Sequence, residues 1–252
     1  MTGKTRRLQR LLAGPEHRCL LVALDHAPWL GPIQGLDKPR TIVEKVMAGG
    51  ANALLMTPGF AREVAPLIGP SVGIVLRVSI MLGPSSEALQ ETPIATVRTA
   101  LRMDADAVAV SIFFGRGGEV EIMRYLGTLT EECSAYGMPV VAEMMPSEEK
   151  SYDAEAIAHV ARIGMELGAD IVKTNYCGDV EAFRQVIASV PVPIIVAGGP
   201  MKGNDENTLQ MVREVMEAEA AGVAIGRRVW QAADPEGMVE KIREILFPET
   251  AC

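Results

Sequence analysis

Short runs of β-branched and small apolar residues alternate along this chain with longer amphipathic stretches, and that pattern leaves few folds open. Strands that each lead into a helix build a parallel sheet covered by helices. Eight strand candidates occur: Cys19–Asp25, Asn52–Thr57, Val72–Ser79, Ala107–Phe113, Val140–Met145, Asp170–Thr174, Pro193–Ala197 and Gly222–Ile225. Helix candidates follow each in turn, about Pro39–Ala48, Phe60–Leu67, Pro93–Arg102, Glu119–Tyr136, Asp153–Leu167, Val180–Ser189, Asn207–Ala220 and Glu236–Leu246. Gly49, Gly137 and Gly168 stand where C-terminal caps are expected, and Asp153 and Asp179 where N-caps are expected. No strand runs into Gly-x-Gly-x-x-Gly, the mark of an open doubly wound sheet. The expected fold is α/β, a closed (β/α)8 TIM barrel, with Thr5–Ala13 as an extra N-terminal helix over the lower mouth. The whole chain, residues 1–252, suits one such barrel.

Composition narrows the partners. Apolar residues make up 48% of the chain, enough for a sizeable core, while 4% aromatic residues and a net charge of −8 argue against a nucleic-acid surface. Small molecules are the expected partners. Cys19, Cys133, Cys177 and Cys252 have no metal-ligand spacing, so no metal is expected, and a reducing, cytoplasmic setting fits them. The start, Met-Thr-Gly-Lys-Thr-Arg-Arg, leads into no signal-peptide core, and no apolar stretch reaches the roughly 20 residues of a membrane span.

One charge is out of place. Lys173 closes the apolar run Ala169–Thr174, whereas Lys4, Lys38, Lys45, Lys150, Lys202 and Lys241 read as lying in loops, near termini or on polar helix faces. A buried amine must be paired, neutralised or used, and desolvation favours the neutral form that attacks carbonyls. In a barrel the active site lies at the C-terminal ends of the strands. There this sequence places Asp25-His26, Glu143-Met144-Met145, Lys173, Gly198-Gly199 and Gly226-Arg227. Strand alternation turns Asp25, Glu143 and Lys173 inward, toward one pocket mouth.

An amine, two carboxylates and an anion cradle suit carbon–carbon cleavage. The amine forms an iminium with a ketone, the iminium draws electrons from the adjacent bond, and a carboxylate moves protons. Asp25 is open between proton transfer and orientation, and Glu143 between an acid and a structural partner of Lys173. His26 follows Asp25 at the active face and is open between catalysis or binding and shaping the turn, while His17 and His159 read as surface residues. Gly198, Gly199, Gly226 and Arg227, with Arg228 competing, form the phosphate-binding candidate, since loops after the seventh and eighth strands often bind phosphate in barrels.

These residues also carry a resemblance. Leu24-Asp25-His26 with Gly31-Pro32-Ile33-Gln34-Gly35-Leu36, Val172-Lys173-Thr174-Asn175-Tyr176-Cys177-Gly178-Asp179, and Ala197-Gly198-Gly199-Pro200 with Gly226-Arg227 resemble the DeoC/FbaB aldolase family over essentially the whole chain. The resemblance implies a (β/α)8 barrel, a homo-oligomer such as a decamer, and a class I aldolase or transaldolase acting on a phosphorylated ketose or related phosphorylated ketone. It makes Lys173 the imine-forming lysine and Asp25 its partner, with no cofactor beyond the covalent imine. It departs at one point, because Met145 precedes Pro146 where the aldolases carry a proton-transferring tyrosine. Glu143 is then the expected acid, protonated near neutrality through burial, with Tyr176 and Tyr152 more distant substitutes. The alternatives are a thiolase-like acyl transfer from a phosphorylated 2,4-diketone to coenzyme A, and a non-catalytic phosphosugar-binding barrel.

Overall fold

The computed structural model describes residues 3–81, 90–199 and 204–248. Pro200, Lys202 and Cys252 lie outside them. Ten strands occur among the described residues: β1 (Cys19–Ala23), β2 (Ala53–Met56), β3 (Gly73–Arg77), β4 (Ser79–Met81), β5 (Glu91–Pro93), β6 (Ala107–Phe113), β7 (Val140–Met145), β8 (Ile171–Thr174), β9 (Ile194–Ala197) and β10 (Gly222–Ile225). Eight of them, all but β4 and β5, pair in parallel and close into a barrel when β10 meets β1. The expected fold is the observed one.

Alternation along each strand explains how the barrel fills. Leu20, Val22 and Leu24, with Leu54, Leu76, Val110, Ala142 and Val172, face the helix layer and merge into the larger core. Leu21, Ala23, Leu55, Val75, Ala109, Val141 and Ile171 point inward and fill the barrel interior. Both sets are almost wholly buried. A one-residue slip would exchange the two faces, and each large apolar side chain moved to water would lose about 1.5–3 kcal/mol, so the register is firmly held.

The closing seam needs glycine. Gly222 pairs with Cys19 at φ +141°, and a Cβ built there would sit 2.0 Å from the Cys19 carbonyl oxygen. No other residue fits without opening the β1–β10 contact.

Helix α1 (Gly3–Leu11) plugs the lower mouth, as the amphipathic Thr5–Ala13 pattern leads one to expect. Arg10 Nε donates to Asp106 Oδ1 at 2.6 Å, and the other Asp106 oxygen accepts from Ile74 N at 2.9 Å. Lys4 pairs with Asp170 at 2.7 Å, whose second oxygen accepts from Val140 N at 3.0 Å. Asn52 accepts from Leu20 N and donates to the Leu11 carbonyl at 2.9 Å. The plug is thus tied to groups at the beginnings of several strands.

The expected third strand, Val72–Ser79, is broken. β3 ends at Arg77, and the chain bends at Val78 into the antiparallel pair β4–β5, inserted before the next helix. Pro93 therefore lies in β5, and the helix predicted over Pro93–Arg102 begins at Val97, where the Thr96 side chain accepts from Thr99 N as its N-cap. Smaller shifts have the same origin. Thr57 caps a helix starting at Pro58, and Asn204 with Asn207 forms a capping box that starts the next-to-last long helix at Asp205. The β1 ladder stops at Ala23, which leaves Asp25 just beyond it. Asn52→Ala removes its hydrogen bonds with Leu20 N on β1 and with the Leu11 carbonyl of the plug, and should lower unfolding free energy by about 1–3 kcal/mol. Urea denaturation measures this, and borohydride trapping at the opposite mouth should remain at wild-type level.

Candidate active site

Inward positions that are apolar along the barrel turn polar at its C-terminal end. After Val75 comes Arg77 on β3, after Ala109 comes Ser111 on β6, after Val141 comes Glu143 on β7, and after Ile171 comes Lys173 on β8. Ser111 stands opposite Glu143 in the ladder, and Glu143 opposite Lys173. Asp25 projects beyond β1 to meet them. All five side chains are buried.

Arg77 holds the cluster together. Its Nε donates to Asp25 Oδ2 at 2.7 Å, its terminal nitrogens donate to Glu143 Oε2 at 2.7 Å and to Ser111 Oγ, and Ser111 Oγ donates to Glu143 Oε2 at 2.7 Å. The remaining Glu143 oxygen, Oε1, lies 2.6 Å from Lys173 Nζ. Two cations and two anions balance in one buried patch, which offsets the cost of taking each from water.

This arrangement corrects the expected state of Glu143. Burial alone would raise its pKa, but the Lys173 ammonium and then the Arg77 guanidinium outweigh burial and hold it at about 2. Glu143 is a carboxylate, and at neutral pH it accepts protons instead of supplying them. Asp25 is also lowered, because Arg77, His26 and Lys173 overcome its burial. Glu91 on β5 differs. Burial outweighs the effects of Arg77 and of the Ser79 hydroxyl, which donates to Glu91 Oε1 at 2.7 Å, and raises its pKa to about 7.

A cavity of about 610 Å³ opens over Lys173 and Glu143, with His26, Met145, Asn175, Gly198, Gly199, Gly226 and Arg227 among its walls. The phosphate-binding candidates therefore share one chamber with the lysine. Gly226 packs against the His26 ring, where an added Cβ would come within 2.7 Å of Cε1. Arg228 is committed to bracing, donating from Nε to the Gly198 carbonyl at 3.0 Å and from a terminal nitrogen to Thr208 Oγ1 at 2.9 Å. The Arg227 side chain lines the chamber and makes no hydrogen bond or ion pair among the described residues. His26 Nδ1 lies 3.2 Å from Asp25 Oδ1, a close polar contact without the alignment of a hydrogen bond.

Tyr176 does not join the site. It turns toward the helix layer and packs edge-on against Phe183, with ring centroids 5.3 Å apart. It lines an adjoining cavity of about 300 Å³, and burial followed by Glu214 pushes its phenol pKa up, which makes it a poorer acid. The reason is the alternation that sends Lys173 and Asn175 inward and therefore Thr174 and Tyr176 outward. Arg77, Ser111 and Glu91 are the functional candidates that the sequence reading misses. Arg77 carries the same signal that singles out Lys173, a cation inside an apolar run.

Comparison with known proteins agrees with this geometry. The DeoC/LacD family aldolase model matches residues 19–232. The chain belongs to that aldolase family. It is 37% identical to the 2-amino-3,7-dideoxy-D-threo-hept-6-ulosonate synthase of Halobacterium salinarum, over 98% of this chain and 92% of that protein. It is 30% identical to the 2-amino-4,5-dihydroxy-6-oxo-7-(phosphonooxy)heptanoate synthase of Streptomyces griseus, over 97% of this chain and 90% of that one. Among solved structures, an archaeal fructose-1,6-bisphosphate aldolase with its catalytic lysine bound to the carbinolamine intermediate superposes with a TM-score of 0.85 at 26% identity, over 96% of this chain and 99% of that one. The protein is accordingly a class I, lysine-imine aldolase by type, in which the covalent imine serves as electron sink without a cofactor.

Acid should dismantle the ion cluster. Because the pKa of Glu143 falls from 4.5 to about 2 on folding, its contribution is present above pH 4.5 and is lost as pH drops toward 2. Thermal melts across that window should show the loss. Arg77→Leu leaves Asp25 and Glu143 without their main partner and should lower stability at neutral pH by about 3–5 kcal/mol, read from urea unfolding.

Proposed function

We propose that Lys173 forms the imine with a phosphorylated ketone or ketose whose phosphate sits against Gly198, Gly199, Gly226 and Arg227, and that carbon–carbon bond cleavage or transfer follows. The observation that carries this reading is the placement of Lys173 Nζ, 2.6 Å from the Glu143 carboxylate, at the floor of the chamber whose wall holds those glycines. Before attack, the lysine must pass a proton on, and the adjacent Glu143 carboxylate is the natural acceptor. Asp25, tied to Arg77 on one oxygen and near His26 on the other, orients the cluster and stabilises positive charge on the imine. Gly198 and Gly199 follow β9, and Gly226 precedes the short helix Arg227–Trp230, the positions at which barrels commonly seat phosphate.

The names of the relatives support a phosphorylated or keto-acid substrate. The synthases are named for keto-acid products, one of them carrying a phosphonooxy group, and the solved aldolases for fructose 1,6-bisphosphate. A homo-oligomer, such as the decamer implied by the motifs, and a cytoplasmic location extend this reading; no helix among the described residues is long and apolar enough to cross a membrane.

Incubation with dihydroxyacetone phosphate or fructose 1,6-bisphosphate and borohydride should add the reduced ketone to a peptide containing Lys173. Lys173→Arg should give no adduct, because a guanidinium stays protonated and does not attack carbonyls. An adduct on another lysine would defeat the assignment. With a turned-over substrate, Arg227→Ala should raise KM several-fold with a smaller effect on kcat, as expected for a contact equally strong in ground and transition states. Unchanged KM would remove Arg227 from the phosphate site.

A further inference from the structure

An imine mechanism needs a group that can both give and take a proton, and Asp25, Glu143, Met145 and Tyr176 do not meet that need. Asp25 and Glu143 are held as carboxylates by Arg77 and Lys173. Met145 occupies the position where the family resemblance places a phenol, and a thioether carries no exchangeable proton. Tyr176 points into the helix layer.

One other carboxyl reaches this place from outside the barrel ladder. Glu91 lies on β5 of the inserted pair, and with Lys173, Glu143, Asp25 and His26 it lines a recess of about 70 Å³ that adjoins the main chamber. It also lines a separate surface depression of about 140 Å³ with Arg116, Gly117 and Glu119. Glu91 thus faces both the recess that holds Lys173 and a depression at the surface, the two connections that a recycling proton carrier requires. Its carboxylate end is placed by the Ser79 hydroxyl at 2.7 Å, and it forms no salt bridge among the described residues. The other groups acting on it are Arg77 from β3, Glu143 from β7 and the Ser111 backbone from β6.

We propose that Glu91 is the proton-transferring catalytic residue of this enzyme, taking the part that a tyrosine at position 145 would otherwise perform. Resting on the imine assignment to Lys173, the sequence of transfers runs as follows. Protonated Glu91 gives its proton to the hydroxyl of the carbinolamine; the C–O bond breaks, water leaves, and the Lys173 nitrogen lone pair forms the C=N bond of an iminium. The Glu91 carboxylate then takes the proton of the substrate hydroxyl whose oxygen becomes the aldehyde carbonyl. The C–C bond breaks, its electrons pass into the iminium to give an enamine, and Glu91 again holds a proton, which it returns to the enamine carbon. A group that titrates near neutrality is available in both forms for these steps.

The test uses dihydroxyacetone phosphate with the full-length protein. Borohydride trapping on Lys173 and deuterium exchange at the ketone's α-carbon in heavy water are followed from pH 5 to pH 9. Glu91→Gln retains an oxygen that can accept from Ser79, so the hairpin contact survives. Exchange should slow by roughly 10²-fold or more, the usual scale of general acid–base assistance, and the limb of the wild-type pH profile near neutrality should vanish. Ser79→Ala, which removes a hydrogen bond favouring the Glu91 carboxylate, should move that limb to higher pH. A purely structural role for Glu91 would not produce such a displacement. Glu91→Gln with wild-type exchange and an unaltered limb would overturn the proposal and pass the role to His26 or Tyr152 on the chamber wall. Absence of any Lys173 adduct in the wild type would instead overturn the imine assignment, and this proposal with it.

Discussion

The site depends on a single buried guanidinium. Arg77 spans the barrel mouth from β3 to Asp25 beyond β1 and to Ser111 and Glu143 on β6 and β7, and through Glu143 its influence reaches Lys173 on β8. A planar fork of donors suits this task better than an ammonium, because it can satisfy several acceptors in fixed directions at once. Side chains from four separate strands and the end of a fifth are thereby locked into one geometry. The lysine gains a defined position and an adjacent proton acceptor, two conditions for imine formation.

Such a cluster is an uncertain source of folding stability, since a well-packed apolar layer of similar volume often serves as well or better. Its value here lies in positioning and in separating protonation states. The same positive charges that hold Asp25 and Glu143 ionised act less strongly on Glu91, where burial prevails. Three carboxyl groups in a small volume are therefore divided between fixed anions and a group poised near neutrality, a division that often distinguishes acid from base in active sites.

The fold was legible because its two periods are clean. Period-two alternation in the strands sorted Leu20 from Leu21 and Val22 from Ala23, and capping residues such as Asp153, Asp179 and Gly137 marked the helix ends. The insertion was illegible for a physical reason. β3 and β4 are separated only by Val78, and nothing in Val72–Ser79 marks the bend, because Val78 and Ser79 suit either a continuing strand or a hairpin edge. That bend carries Glu91 to the mouth, a placement set by tertiary contact with Ser79 and not by any local pattern. Lys173 stood out as a charge in an apolar run, and Arg77 would have stood out by the same test. The ionisation of Glu143 was out of reach without Arg77, since burial and pairing act in opposite directions and only the geometry decides between them.

The β1–β10 seam has a consequence for how the molecule is made. Its two edges come from residues 19–23 and 222–225, so the ring of hydrogen bonds stays open until nearly the whole barrel sequence has left the ribosome. Until then a growing chain presents unpaired parallel edges flanked by apolar side chains, the kind of surface that invites pairing with a neighbouring nascent chain. The close approach at Gly222 makes the final junction a tight fit, and β10 is the last barrel strand to be made. Until that closure, both seam edges of the barrel stay open to the mispairing that unpaired strands invite.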